Sequence, residues 1–173
     1  LLNLDVMTRA QTLELFAARL GETVIKKAQA SALAKELGYL PLAIELAAAQ
    51  IESGHTWNEL IEAFRSGLAD LRTLELDKAK FRNESLRLSF RLSLEVLSNE
   101  EQSAFAWLGV FKEEALIGIK TASILWQLPE NEARRLLFRF RDKALIKPLD
   151  EERFIIHDLL LDEARMRLAE IVP

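Results

Sequence analysis

The chain has 173 residues, half of them hydrophobic and 29% charged, which suits one compact domain or two small ones and excludes a disordered segment. It has no cysteine, so disulfides, thiolate zinc sites and cysteine nucleophiles are ruled out. The net charge of −4 argues against a general nucleic-acid binder. No apolar run approaches the ~20 residues of a membrane span, since Leu40 to Ile51 is broken by Glu45 and Gln50.

The N-terminal stretch Leu1 to Ala10 has neither the basic start nor the cleavage site of a secretory leader, so a cytoplasmic protein is expected. The chain opens without an initiator Met, and we expect a piece of a longer protein. Thr8 and Gln11 then have the spacing of a capping box. Leu13, Phe16, Ala17 and Leu20 follow at i, i+3, i+4, i+7, which predicts a helix over 8–20. A second helix, 24–37, is closed by Gly38, and Pro41 suits the first turn of a third, 41–52. Its stripe is Ile44, Ala47, Ala48 and Ile51. Thr56 with Glu59 opens a fourth, 56–66, with Trp57, Leu60, Ile61 and Phe64 on one face.

From Gly67 to Glu84 charges crowd the sequence and helical spacing fades, so we expect two domains, 1–75 and 76–173. The second begins with a helix over 82–97. Ser98 with Glu101 then caps 99–111, where Ala104, Trp107, Leu108 and Phe111 form an expected core stripe. Helices follow over 119–127, 130–143 and 158–170, with Ala133, Leu136, Leu137 and Phe140 facing inward on the second of these. Leu145–Leu149 and Arg153–Ile156 flank the polar triplet Asp150-Glu151-Glu152, which predicts a hairpin with Pro148 on an exposed edge. Ala115–Ile117 is expected to add a strand. The fold class is therefore mainly α: a four-helix bundle followed by a winged-helix domain with a small β-hairpin.

Catalytic patterns are missing. His55 and His157 are far apart in sequence and neither has a ligand partner at i+4. No G-x-S-x-G elbow occurs. Lys120-Thr121 resembles the end of a phosphate loop, but Ile119 and Glu114 stand where glycines are needed for backbone amides to wrap a phosphate. The chain alone is not expected to be an enzyme.

Two motifs, Gly38-Tyr39-Leu40-Pro41-Leu42-Ala43 and Ile156-His157-Asp158-Leu159-Leu160, resemble in this order the G-L-P-L-A and M-H-D motifs of the NB-ARC class of STAND signalling ATPases. Leu15-Phe16, Trp57 with Leu60, and Asp142-Lys143-Ala144-Leu145-Ile146 resemble further segments of that class, and the likeness runs over nearly the whole chain. Ile156 departs from the family's methionine, and the P-loop domain is expected upstream of Leu1.

The resemblance implies a helical lid over 1–75 and a winged-helix subdomain over 76–173. Together they form an autoinhibitory switch that binds ADP or ATP only with the upstream P-loop domain. It implies that Pro41 lies against the adenine and that His157 reaches the β-phosphate, with Gly38 and Asp158 supporting the site and Asp158 capping the helix after His157. The implied partners are the upstream nucleotide-binding domain and a downstream sensor domain of the same protein, with self-association of the parent a further expectation and no membrane. Without the resemblance, His157 is a strand-to-helix junction residue and Pro41 a helix-start proline.

The competing signal is basic. Arg134, Arg135, Arg139, Arg141 and Lys143 lie on the helix before the hairpin, where a winged-helix DNA-binding regulator carries its recognition helix. Arg134, Arg135 and Arg141 are the residues that would face phosphates. Glu130, Glu132, Asp142 and the acidic hairpin tip weaken that footprint, so DNA is the disfavoured alternative.

Overall fold

A computed structural model describes residues 6–69 and 78–172. Among them the chain is mainly helical with one small three-stranded antiparallel sheet. It divides into two compact units, Leu1–Ser93 and Leu94–Pro173. The expected boundary at 75/76 lies outside the described residues.

The first unit contains α1 (Arg9–Leu20), α2 (Lys27–Glu36), α3 (Pro41–Glu52), α4 (Trp57–Gly67) and most of α5 (Lys78–Glu95). Two helix starts are fixed by the chain's own chemistry. Thr8 Oγ1 accepts from the Gln11 amide at 3.2 Å while Gln11 Oε1 accepts from the Thr8 amide at 2.8 Å. Thr56 and Glu59 repeat the arrangement at 3.2 and 2.7 Å. These reciprocal bonds satisfy amides that have no partner within the helix.

α1 packs on α3 and α2, and α2 packs on α4. Phe16, wholly buried, meets Trp57 edge-to-face at 5.0 Å and 71°, a favoured aromatic geometry. Leu33, Ile44, Leu46 and Phe64 complete an apolar interior without measurable exposure. A narrow polar seam crosses it: Ser85 Oγ donates to the Glu36 carbonyl at 3.0 Å, and Gln50 Nε2 donates to Ser93 Oγ at 3.2 Å. Each of these buried groups is paired, as the low dielectric requires.

The second unit runs α6 (Asn99–Trp107), a 3-10 turn (Leu108–Val110), β1 (Ile117–Gly118), α7 (Ile119–Trp126), α8 (Glu130–Asp142), β2 (Lys147–Pro148), β3 (Arg153–Ile155) and α9 (Asp158–Ile171). Ser98 and Glu101 form its capping box at 3.2 and 2.9 Å. The strand order is β1-β3-β2, with Ile117 opposite Phe154 and Lys147 opposite Ile155. Pro148 thus lies on an edge strand, where its missing N–H removes no ladder bond. Helix, strand, helix, helix, hairpin is the winged-helix order, with α8 in the place of the recognition helix.

Phe105, Phe140 and Phe154 are buried at the centre, with Phe105–Phe140 and Trp126–Phe140 edge-to-face at 5.9 Å. α9 packs on α6 and on the 3-10 turn at Gly109. A Cβ there would lie 2.8 Å from the Arg165 backbone, so only glycine permits this approach.

Two expectations are corrected. The strand expected over Ala115–Ile117 forms one residue pair later, at Ile117–Gly118, where Ile117 is buried opposite Phe154. The helix expected to 111 stops at Trp107 and tightens into the 3-10 turn, which rotates the stripe. Phe105 and Leu108 become core, while Trp107 is 37% exposed.

Candidate functional site

The α2–α3 junction is built by two consecutive left-handed residues, Gly38 at φ +63° and Tyr39 at φ +58°. The Tyr39 amide donates back to the Ala34 carbonyl at 3.0 Å and the Gly38 amide to Lys35 at 3.2 Å, a Schellman closure of α2. The Tyr39 carbonyl also accepts from the Met7 amide at 2.9 Å. This closure turns the chain so that Pro41 starts α3 as its first residue, exposed, with Leu40 buried beside it. The proline ring is therefore a rigid apolar surface at a helix N-terminus that has no side-chain cap. At Gly38 a Cβ would come to 3.0 Å from Arg82 Cγ.

The β3–α9 junction carries His157. It is exposed, and it is the N-cap of α9: its Nδ1 accepts from the Leu159 amide at 3.2 Å. An accepting Nδ1 carries no proton, so the neutral ring holds its proton on Nε2. The cap thus fixes both the tautomer and the donor atom. Ile156, its predecessor, is buried and anchors the junction in the core. Asp158 does not cap the helix, contrary to expectation. It is the first helical residue, exposed, and its carboxylate lies in the first turn, where the helix dipole favours it.

The remaining candidates lie on α8. Arg134 pairs with Glu152 on the hairpin at 3.2 Å, and Arg139 pairs with Glu101 on α6. Arg141 bonds Asp142 at 2.8 Å and lies 4.4 Å from the centre of the Phe138 ring. Burial, and next the Arg139 charge, hold the Lys143 amine below the usual lysine range, while Glu101 and Asp142 oppose that shift. Arg135 is exposed, with no ion pair among the described residues. The helix is basic in sequence, and three of its four arginines are bonded to carboxylates in space.

Gly38 and Pro41 thus share one turn of the first unit, His157 and Asp158 share one junction of the second, and Arg134, Arg135 and Arg141 share α8. Lys120 and Thr121 are exposed on α7, as a helix surface. Among the described residues, no group of three or more His, Asp or Glu is placed to hold a metal ion. No helix there is long and apolar enough to cross a membrane. Taken without the family resemblance, His157 was a strand-to-helix junction residue of the kind that often caps, and the structure makes it the N-cap of α9.

The chain is similar to two curated proteins, each named regulatory protein AfsR. One is from Streptomyces coelicolor (strain ATCC BAA-471 / A3(2) / M145), 29% identical over 167 residues, which is 95% of this chain and 16% of the relative. The other, from Streptomyces griseus, is 29% identical over 167 residues, 95% of this chain and 17% of the relative. The chain therefore spans about one sixth of the length of the relatives it matches. No family model matches it.

Proposed function

We propose that this chain is the helical lid and winged-helix region of an NB-ARC-class STAND signalling ATPase, acting in the cytoplasm. There it regulates its parent protein by helping to bind ADP or ATP and by coupling nucleotide state to domain rearrangement. The likeness to two regulatory proteins along 95% of the chain supports a regulatory role. The observation that carries the finer reading is the place of His157, exposed at the N-terminus of α9, where its Nδ1 accepts from the Leu159 amide.

The residues fit a nucleotide in their chemistry. Pro41 offers a flat apolar face suited to a base, and His157 offers an N–H donor at the N-terminus of α9, where partial positive charge favours an anion. Asp158 opposes that field and keeps it moderate. When bound, the nucleotide supplies the charge and aromatic surface that a lid and a phosphate-sensing residue would read. His157 contributes one charge-assisted hydrogen bond, worth roughly 1.5–3 kcal/mol. Gly38 and the cap bond hold the two contact residues in place. Because His157 belongs to the winged-helix unit, its contact with a diphosphate favours one arrangement of the parent, and losing that contact shifts the population. The working partners are a P-loop domain and a sensor domain elsewhere in the parent.

Calorimetric titration of ADP into the longer protein that joins this chain to its P-loop domain tests the reading. His157→Ala weakens ADP binding if it holds; equal affinities overturn it. A second reading, a winged-helix DNA-binding regulator, is favoured by the position of α8 and the exposed Arg135. The carboxylate pairs on Arg134, Arg139 and Arg141 weigh against it. DNA affinity that falls steeply with salt and is lost in Arg135→Ala would establish it.

A further inference from the structure

Tyr39 is a tyrosine in a position that suits glycine. Its φ of +58° lies in the left-handed region, which a bulky side chain enters under strain and glycine enters freely. Four non-glycine residues among those described have a positive φ, and Tyr39 is the aromatic one of the four. Its backbone has no room to relax. The Tyr39 amide is held by the Ala34 carbonyl at 3.0 Å, and the Tyr39 carbonyl accepts from the Met7 amide at 2.9 Å.

Neither a ring contact nor a side-chain hydrogen bond offsets this strain. Among the described residues, Tyr39 meets no other aromatic ring, and its hydroxyl has no bonded partner. The side chain is half-buried, whereas Leu40 beside it is buried in the core. Strained residues gather at ligand clamps, where the strain forms part of a preorganised contact.

The place of Tyr39 in the turn indicates what its ring would meet. Leu40, which separates it from the exposed Pro41, is extended at φ −82° and ψ 124°. Two residues of chain span at most about 7 Å, so a single flat group can touch both side chains. The closure of α2 fixes one end of this turn and the start of α3 fixes the other. An aromatic face beside a proline ring suits a planar heterocycle, because every base presents a π-face to stack on.

Resting on the nucleotide reading above, we propose that Tyr39 is a second base-contacting residue of the lid turn, its ring lying against the adenine beside Pro41.

The test uses the longer protein that joins this chain to its P-loop domain, with Tyr39→Gly and Tyr39→Phe. Glycine removes both the ring and the strain, so thermal melts without nucleotide should place Tyr39→Gly at or above the parent. Calorimetric titration should show that variant binding ADP roughly tenfold more weakly, the scale of one stacked base. Adenosine should lose affinity by the same factor, since the ring acts on the base and not on the phosphates. Tyr39→Phe keeps the ring and should bind ADP like the parent. A Tyr39→Gly variant that melts well below the parent would show that the fold itself uses the ring, and would overturn the proposal. Unchanged ADP affinity in Tyr39→Gly, or a loss for ADP without one for adenosine, would overturn it as well. His157→Ala separates this failure from that of the underlying reading. ADP binding weakened in His157→Ala but not in Tyr39→Gly removes the second base contact alone, whereas a parent that binds no ADP removes both.

Discussion

His157 does two things through two atoms, and substitutions can separate them. In His157→Ala the Leu159 amide loses its acceptor at 3.2 Å, and loss of an N-cap costs about 1 kcal/mol. For a chain of 173 residues that is a fall in melting temperature of roughly 2–4 °C. His157→Asp restores an acceptor, since aspartate is among the strongest N-caps, but has no N–H and adds a negative charge. The two variants should therefore diverge. Thermal melts of this chain should show the alanine variant destabilised and the aspartate variant at or above the parent. ADP titration of the longer protein should show both variants weakened, the aspartate more. Losing a bond of roughly 1.5–3 kcal/mol lowers affinity about ten- to hundredfold. An aspartate variant that binds ADP like the parent would refute the donor role of Nε2. An aspartate variant that melts as low as alanine would refute the cap.

Other substitutions probe the supports of the two junctions. Gly109→Ala places a Cβ 2.8 Å from the Arg165 backbone; because no side chain can rotate away, a loss of at least ~1–3 kcal/mol is expected in urea unfolding. Gly38→Ala sets a side chain at φ +63° and 3.0 Å from Arg82 Cγ, where the flexible Arg82 can yield, so only the left-handed strain of ~1–2 kcal/mol is expected. Stability should also fall in acid. The Thr56 amide and hydroxyl hold the Glu59 carboxyl below its usual range, and the Arg153 side chain and backbone amides do so for Asp150. A depressed folded-state value means stabilisation present above the ordinary carboxylate range and lost as pH falls through the lowered one. Denaturation midpoints measured from neutral to acid pH should decline less steeply in Glu59→Gln and Arg153→Ala than in the parent.

Much of the helical part of this protein is local chemistry, and local chemistry is legible. The three capping boxes, at Thr8, Thr56 and Ser98, form as their spacing requires, because both partners of each bond lie within four residues. Gly38 ends α2 and Pro41 begins α3 for equally local reasons, and Pro148 goes to a sheet edge. Exposure within an apolar stripe was not legible in this way. Trp107 and Leu108 share one stripe in the sequence, yet Leu108 is wholly buried in the 3-10 turn that α9 approaches at Gly109, while Trp107 is exposed.

Charge behaves similarly. The sequence shows a basic helix at 130–142, and only the tertiary structure brings Glu152 to Arg134 and Glu101 to Arg139. These pairs join residues many positions apart, so no periodicity records them. His157 stands between the two cases. Its place before α9 is a sequence property. Which ring nitrogen faces the helix is fixed by the orientation that β3 and the buried Ile156 give to the junction.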